Sequence, residues 1–179
     1  MTGPISARRI VPAADHEALA AMDTSYETTS VYDVREFPFG FELVPRAVSP
    51  GLHRPGGQIV AELAGSPLWS DAWLAVSDGS TAGFAAVGYE TWNRRVRLWH
   101  LYVDSAHRRR GVGTTLLSTV AHYASSLGAS HVFAETSNVN APAIATYLRY
   151  GFGLVGLDTS LYAATSHADE VAVYLALRL

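Results

Sequence analysis

The sequence predicts an α/β (α+β) fold, a mixed and mostly antiparallel sheet carrying helices on both faces, and three observations point to it. First, AWLAVSDGSTAGFAAVGYE, residues 72–90, holds two apolar runs around Asp78-Gly79, a dipeptide suited to a tight turn with positive φ. Second, the strand-like VRLWHLYV, residues 96–103, is followed by a glycine loop, a helical run and then SHVFAET; strand, helix, strand is a crossover unit that places two strands in parallel. Third, the closing EVAVYLALRL alternates Val171, Val173, Leu175 and Leu177, the period of a strand with one buried face.

Taken in order, ARRIV predicts a short strand ending at Val11, and the run from about Ala14 to Met22 predicts a helix with Leu19 and Met22 on its inner side. VYDVREFPFGFELVP predicts two short extended pieces broken at Pro38 and Gly40. From Ser49 to Pro67 the proline and glycine content predicts a long connection. In VRLWHLYV, strict alternation places Val96, Leu98, His100 and Tyr102 on one side, with Arg97, Trp99, Leu101 and Val103 on the other. Apolar positions Val112, Leu116, Val120, Ala124 and Leu127 recur at helical spacing, and Gly128 stops that helix. A second helix runs through NAPAIATYLRYGF, with Asn140 as N-cap, Pro142 in the first turn and Gly151 at the end. Arg8-Arg9 and Arg94-Arg95 read as surface charge.

At 179 residues, 49% hydrophobic and only 16% charged, the chain has the composition of one globular domain, residues 1–179. Its 13 basic against 16 acidic residues leave a net charge of -3, which provides no field for a phosphate backbone, so no nucleic acid is expected. The absence of cysteine excludes a disulfide framework, a thiolate metal site and a cysteine nucleophile, and no metal is expected. MTGPISARRIV lacks the apolar core of a signal peptide and no run reaches membrane-spanning length, so a cytoplasmic protein without membrane contact is the expectation.

The chemistry concentrates at AHRRRGVGTTLL, residues 106–117. A strand ending near Val103, a loop with Gly111 and Gly113, and then a helix present unpaired backbone N–H groups at a positive dipole end, which makes an anion cradle. Arg108, Arg109 and Arg110 add positive charge. The Walker pattern is absent, and a dinucleotide fingerprint would need a third glycine where Leu116 stands; what remains is R-x-x-G-x-G.

Downstream, Asn140, Ala143, Tyr147, Gly151 and Phe152 form N-x-x-A-x-x-x-Y-x-x-x-G-F. The two motifs in this order resemble the GNAT superfamily of N-acetyltransferases, over roughly Ala72 to Phe152. YETWNRRV, TSNVNAPAI, GFGLVGLDTSLY and MDTSYETTSVYDV are similar to segments of its streptothricin (nourseothricin) acetyltransferases. The resemblance implies acetyl-CoA as cofactor, with its pyrophosphate on Arg108, Arg109, Arg110, Gly111, Val112, Gly113 and Thr114. It implies pantetheine between two splayed parallel strands, at Leu101, Tyr102 and Val103 and at residues 133–136. Also implied are a backbone N–H near Val103 polarising the thioester oxygen, Asn140 and Ala143 at the pantetheine arm, and Tyr147 protonating the departing thiolate. The acceptor would be a small cationic amine, the β-lysine amine of streptothricin, and the outcome antibiotic resistance; family members often form homodimers.

An alkyl ammonium with a pKa of ~10.4 must lose a proton before it attacks a thioester. The strand before the loop carries Trp99, His100 and Tyr102 where streptothricin enzymes usually place acidic residues, so His100 and Glu135 are the candidate proton acceptors, ahead of Tyr102. Asp23, Glu27, Glu90 and Asp158 could line an acidic acceptor pocket, with Tyr26, Tyr32, Trp92 and Tyr162 as walls. Two other readings stay open: an acetyltransferase for protein N-termini or lysines, and a CoA-binding regulatory domain without turnover.

Overall fold

The computed structural model describes residues 3–57, 59–63 and 67–179. In chain order the elements are β1 (Ser6–Arg9), α1 (Pro12–Ala20), β2 (Tyr26–Phe37), β3 (Gly40–Arg54), α2 (Ile59–Leu63), β4 (Asp71–Ser77), β5 (Ser80–Glu90) and β6 (Arg95–Val103). A 3-10 turn (Ser105–His107), α3 (Val112–Ser126), β7 (His131–Ser137), α4 (Ala141–Tyr150), β8 (Gly153–Asp158) and β9 (Ala172–Arg178) follow. Seven strands form a mixed sheet in the order β1-β4-β5-β6-β7-β9-β8, with β6 and β7 as its parallel pair, and β2 and β3 pair separately. The chain divides into two compact units: the first holds the segment up to Tyr26, Pro55–Phe133 and Arg178–Leu179, the second Glu27–Arg54 and Ala134–Leu177.

The first unit is built on the β4–β5 hairpin, whose Asp78 and Gly79 both take the positive φ that the turn demands. Leu74, Phe84 and Ala86 cluster with Leu19 of α1 and Ile59 of α2. The other face of β5 receives α3: a Cβ at Gly83 would lie 2.8 Å from Val112 and 3.0 Å from Leu116, so glycine is what lets that helix close on the strand. Helices therefore cover both faces here, as the apolar periodicity predicts.

The strict alternation expected in β6 is broken. Ala86 pairs with His100 but Val87 pairs with Leu98, so Trp99 is an extra residue and the strand bulges. Adjacent residues of β5 face opposite ways, which puts Leu98 and His100 on opposite faces rather than on the same one. Trp99 and Tyr102 pack against the cluster under α1, and the bulge is what aims Trp99, His100 and Tyr102 together.

Two further expectations are corrected. The connection expected from Ser49 to Pro67 is strand as far as Arg54 and includes the short helix α2; the two short extended pieces are the 12- and 15-residue strands of one hairpin. A two-stranded ribbon leaves alternate N–H groups facing outward, so Pro45 and Pro50 sit in β3 without removing the pairing. The arginine pairs also do more than carry surface charge. Arg8 bonds Asp15 at 2.6 Å, Arg9 pairs with Asp71, Arg94 donates to the Gly128 carbonyl at 2.7 Å, and Arg95 lies over the Phe133 ring.

In the second unit β8, unforeseen in the sequence, runs antiparallel to β9. Asn138 is the buried connector. It exchanges bonds with Tyr32, through Tyr32 N–H to its carbonyl at 3.0 Å and its own Nδ2 to the Tyr32 carbonyl at 2.7 Å. It does the same with Val171, at 2.9 Å and 2.8 Å. Helix α4 is capped as predicted: Asn140 Oδ1 accepts from Ala143 N–H at 3.2 Å, and Gly151 ends the helix at φ 112°.

Candidate active site

The end of β6 and the loop after it are braced before any ligand arrives. Asp104 N–H bonds the Ala82 carbonyl at 3.0 Å. Successive amides of a strand point to opposite sides, so the Val103 N–H is aimed away from β5. Asp104 Oδ1 accepts from Ala106 N–H and meets His107 Nδ1, each at 3.0 Å, while Oδ2 accepts from Asp23 N–H at 3.0 Å. Burial pushes the Asp104 carboxyl up, but the bonds from His107, Asp23 and Ala106 outweigh it and hold the group below its ordinary range. Ser105 N–H bonds the Asp23 carbonyl at 2.9 Å, and Arg108 donates to the carbonyls of Ser25 and, at 3.3 Å, Val103.

Arg108 is thus committed to the loop itself, and exposed Arg109 and Arg110 are left to supply charge outward. Arg109 and Gly111 both take left-handed backbone, at φ 60° and 92°. Gly111 is the N-cap of α3 and has no side chain to cover the amides of Val112, Gly113 and Thr114. Gly111 and Thr114 are exposed, so this helix terminus opens to solvent with its donors available, the chemistry of an anion cradle.

Above β5, the rings of His100 and Tyr102 stack with centroids 5.5 Å apart, and Phe84 lies 6.3 Å from His100. The Tyr102 hydroxyl sits against residue 57, where any Cβ would come within 2.3 Å of it; a Cβ on Gly56 would lie 2.2 Å from Thr24 Oγ1. A side chain at either glycine would push Tyr102 or Thr24 aside.

In the second unit, β7 alternates strictly: Ala134 and Thr136 are buried, and Glu135 lies on the other, half-buried face with Phe133 and Ser137. The Tyr162 hydroxyl donates to Glu135 Oε1. Ser137 donates to Glu170, a carboxylate only 8% exposed that also pairs with Arg54 and lies 3.3 Å from His167 Nδ1. Tyr147 is 6% exposed and packs on Phe152 with ring centroids 5.2 Å apart. Ala143 follows in the first turn of α4, held by Asn140.

Each of the four acids expected at an acceptor pocket has its own local surroundings. Asp23 accepts from Ser25 N–H at 3.0 Å and its hydroxyl at 2.7 Å. Glu90 pairs with Arg97 at 3.2 Å and Asn93 at 2.9 Å, at the end of the β5–β6 hairpin away from the loop. Asp158 caps the turn after β8 through Ser160 and Leu161. Glu27 is 82% exposed, with His53 Nδ1 3.6 Å from its Oε1, and lines a shallow cleft of about 420 Å³ with Thr28, Thr29 and Gly51. The sequence left Glu170 unremarked, since the partner that explains it, Arg54, is 116 positions away.

The model of the Acetyltransferase (GNAT) family matches residues 42–152. The chain belongs to that family. It is 38% identical over 169 residues to the streptothricin acetyltransferase of Streptomyces lavendulae, covering 91% of this chain and 89% of that one. Its fold superposes on a crystal structure of nourseothricin acetyltransferase with a TM-score of 0.85 and 37% identity, over 97% of this chain and 98% of the other. An acetyltransferase from Bacillus anthracis str. Ames, solved in complex with acetyl coenzyme A, shares the fold at a TM-score of 0.83 and 21% identity, over 98% and 100% of the two chains. This acetyltransferase accordingly draws on acetyl-CoA.

Proposed function

We propose that this acetyltransferase transfers the acetyl group of acetyl-CoA to the β-lysine amine of streptothricin, and so confers resistance to it. The observation that carries the choice of acceptor is the 38% identity maintained across 91% of the chain, both units included. We take residues 1–179 to work as a single acetyltransferase domain, because the family match takes in segments of both units.

The bare N-terminus of α3 and the flanking arginines fit a pyrophosphate. Main-chain N–H groups from Arg108 to Thr114 bind it, with Arg109 and Arg110 offsetting its charge. Leu101, Tyr102 and Val103, with Asn140 and Ala143, hold the pantetheine arm. When bound, acetyl-CoA supplies a thioester carbonyl that accepts the amine lone pair and a thiolate that leaves as the carbon–sulfur bond breaks. Val103 N–H, turned away from β5, stabilises the charge developing on the carbonyl oxygen. Glu135 takes one proton from the acceptor ammonium and passes it to solvent; Tyr147 gives its proton to the departing sulfur and is restored by the second amine proton, so one proton is released per turnover. His100, stacked on Tyr102 and beside the tilted ring of Phe84, shapes the strand face and is the second candidate acceptor. Of the four acids, Glu27 attracts the cationic acceptor, while Asp23, Glu90 and Asp158 serve the scaffold. A cytoplasmic location and a homodimer belong to the same proposal; fractionation and sedimentation velocity test them. Among the described residues no helix is long and apolar enough to cross a membrane.

Mass spectrometry of streptothricin after incubation with the protein and acetyl-CoA is the direct test. A gain of one acetyl group is expected. No gain, with acetyl-CoA binding verified by calorimetry, overturns the acceptor and redirects the search to protein amines or to a CoA-binding role without turnover.

A further inference from the structure

Within residues 159–169 every side chain is exposed except Tyr162, and the turn is organised to send that ring inward. Asp158 accepts from Ser160 N–H and hydroxyl, both at 2.7 Å, and from Leu161 N–H at 3.0 Å. Thr165 fixes the other end, donating to the Tyr162 carbonyl from its N–H at 2.9 Å and its hydroxyl at 2.8 Å. What the ring then finds is a carboxylate oxygen, Oε1 of Glu135, 27 positions earlier. A loop that needed only an anchor could use an apolar contact; this one delivers a hydroxyl to an ionisable group.

We propose that Tyr162 is a positioning residue for Glu135: its hydroxyl holds Oε1, so that Oε2 is presented in a fixed orientation to the acceptor ammonium. The proposal rests on the reading of Glu135 as proton acceptor. Tyr162 keeps its own proton throughout. Burial, the bond to Glu135 and the charges of Glu135, Glu170 and Tyr174 all push its ionisation far above the ordinary range, so it stays a donor. The ionisable groups around the pair are Tyr162 on the loop, Glu170 before β9, Tyr174 on β9, and His167 and Arg54, which meet Glu170.

The test is Tyr162→Phe, assayed for streptothricin acetylation, alone and combined with Glu135→Gln. Loss of one charge-assisted hydrogen bond is expected to lower kcat by about tenfold or more, with the KM for acetyl-CoA unchanged. In the Glu135→Gln background the same substitution is expected to cost nothing further, because its effect passes through that carboxylate. Tyr162→His, which restores a donor, is expected to recover part of the lost kcat and carries the test if the phenylalanine variant does not fold. A kcat equal to that of wild type, or an equal loss in both backgrounds, overturns the role of Tyr162 and leaves the functional reading intact. Wild-type protein without turnover on streptothricin overturns both.

Discussion

The glycine loop before α3 and the strand that carries Glu135 are held by different forces. In the first unit, Val112 and Leu116 are at most 1% exposed and close on Gly83 of β5, and α3 is placed by that apolar contact. In the second unit β7 ends in a buried polar network: Asn138 is bonded to Tyr32 and Val171, and Glu170 to Ser137, Arg54 and His167. Apolar burial is non-directional and strong, which suits an element that must stay put under any acceptor. Hydrogen bonds are directional and their loss is local, which suits a surface whose carboxylates must be individually oriented.

Substitutions in each unit can break this contrast. Leu116→Ala removes a fully buried side chain from the contact that places α3, and should cost about 2–5 kcal/mol by urea unfolding, with weaker acetyl-CoA binding beside it. A loss below about 1 kcal/mol would show that the helix is placed by something other than burial. Asn138→Ala orphans the Tyr32 carbonyl and the Val171 amide, and should cost about 1–3 kcal/mol. Hydrogen exchange should show the Val171 amide losing protection while amides of α3 keep theirs; equal loss in both places would mean that the two units do not respond separately.

The smallest effect concerns pH. Hydrogen bonds from Ser105 and Ser25 lower Asp23 from 3.8 to about 2. A folded pKa below the unfolded one means stability that is present above the ordinary carboxylate range and lost as pH falls from about 4 to about 2. Asp23→Asn should flatten the acid-unfolding curve across that window, followed by circular dichroism. An unchanged slope would remove Asp23 from the bracing of the loop.

Much of the scaffold was legible because its causes are local. Asp78-Gly79, the Asn140 cap, Gly151 and the apolar spacing of α3 each act within a few residues, and the structure follows them. The long β2–β3 hairpin was obscured by Pro38, Pro45 and Pro50, whose effect depends on which side of a strand has a partner. The bulge at Trp99 was invisible because nothing in RLWHLYV marks an extra residue; only the register against β5 counts it.

The candidate site divides the same way. Sequence alone determined the glycine loop at the mouth of a helix, the family motif around Asn140 and Tyr147, and the absence of a cysteine nucleophile, because dipole ends, caps and residue chemistry need no distant partner. Tertiary structure decided that the Arg108 side chain donates to the carbonyls of Ser25 and Val103, that Asp23, Glu90 and Asp158 are engaged by their own neighbours, and that Glu135 meets Tyr162. Those are matters of which groups meet across many residues of chain, and a hydrogen bond has no meaning until the fold has chosen its second atom.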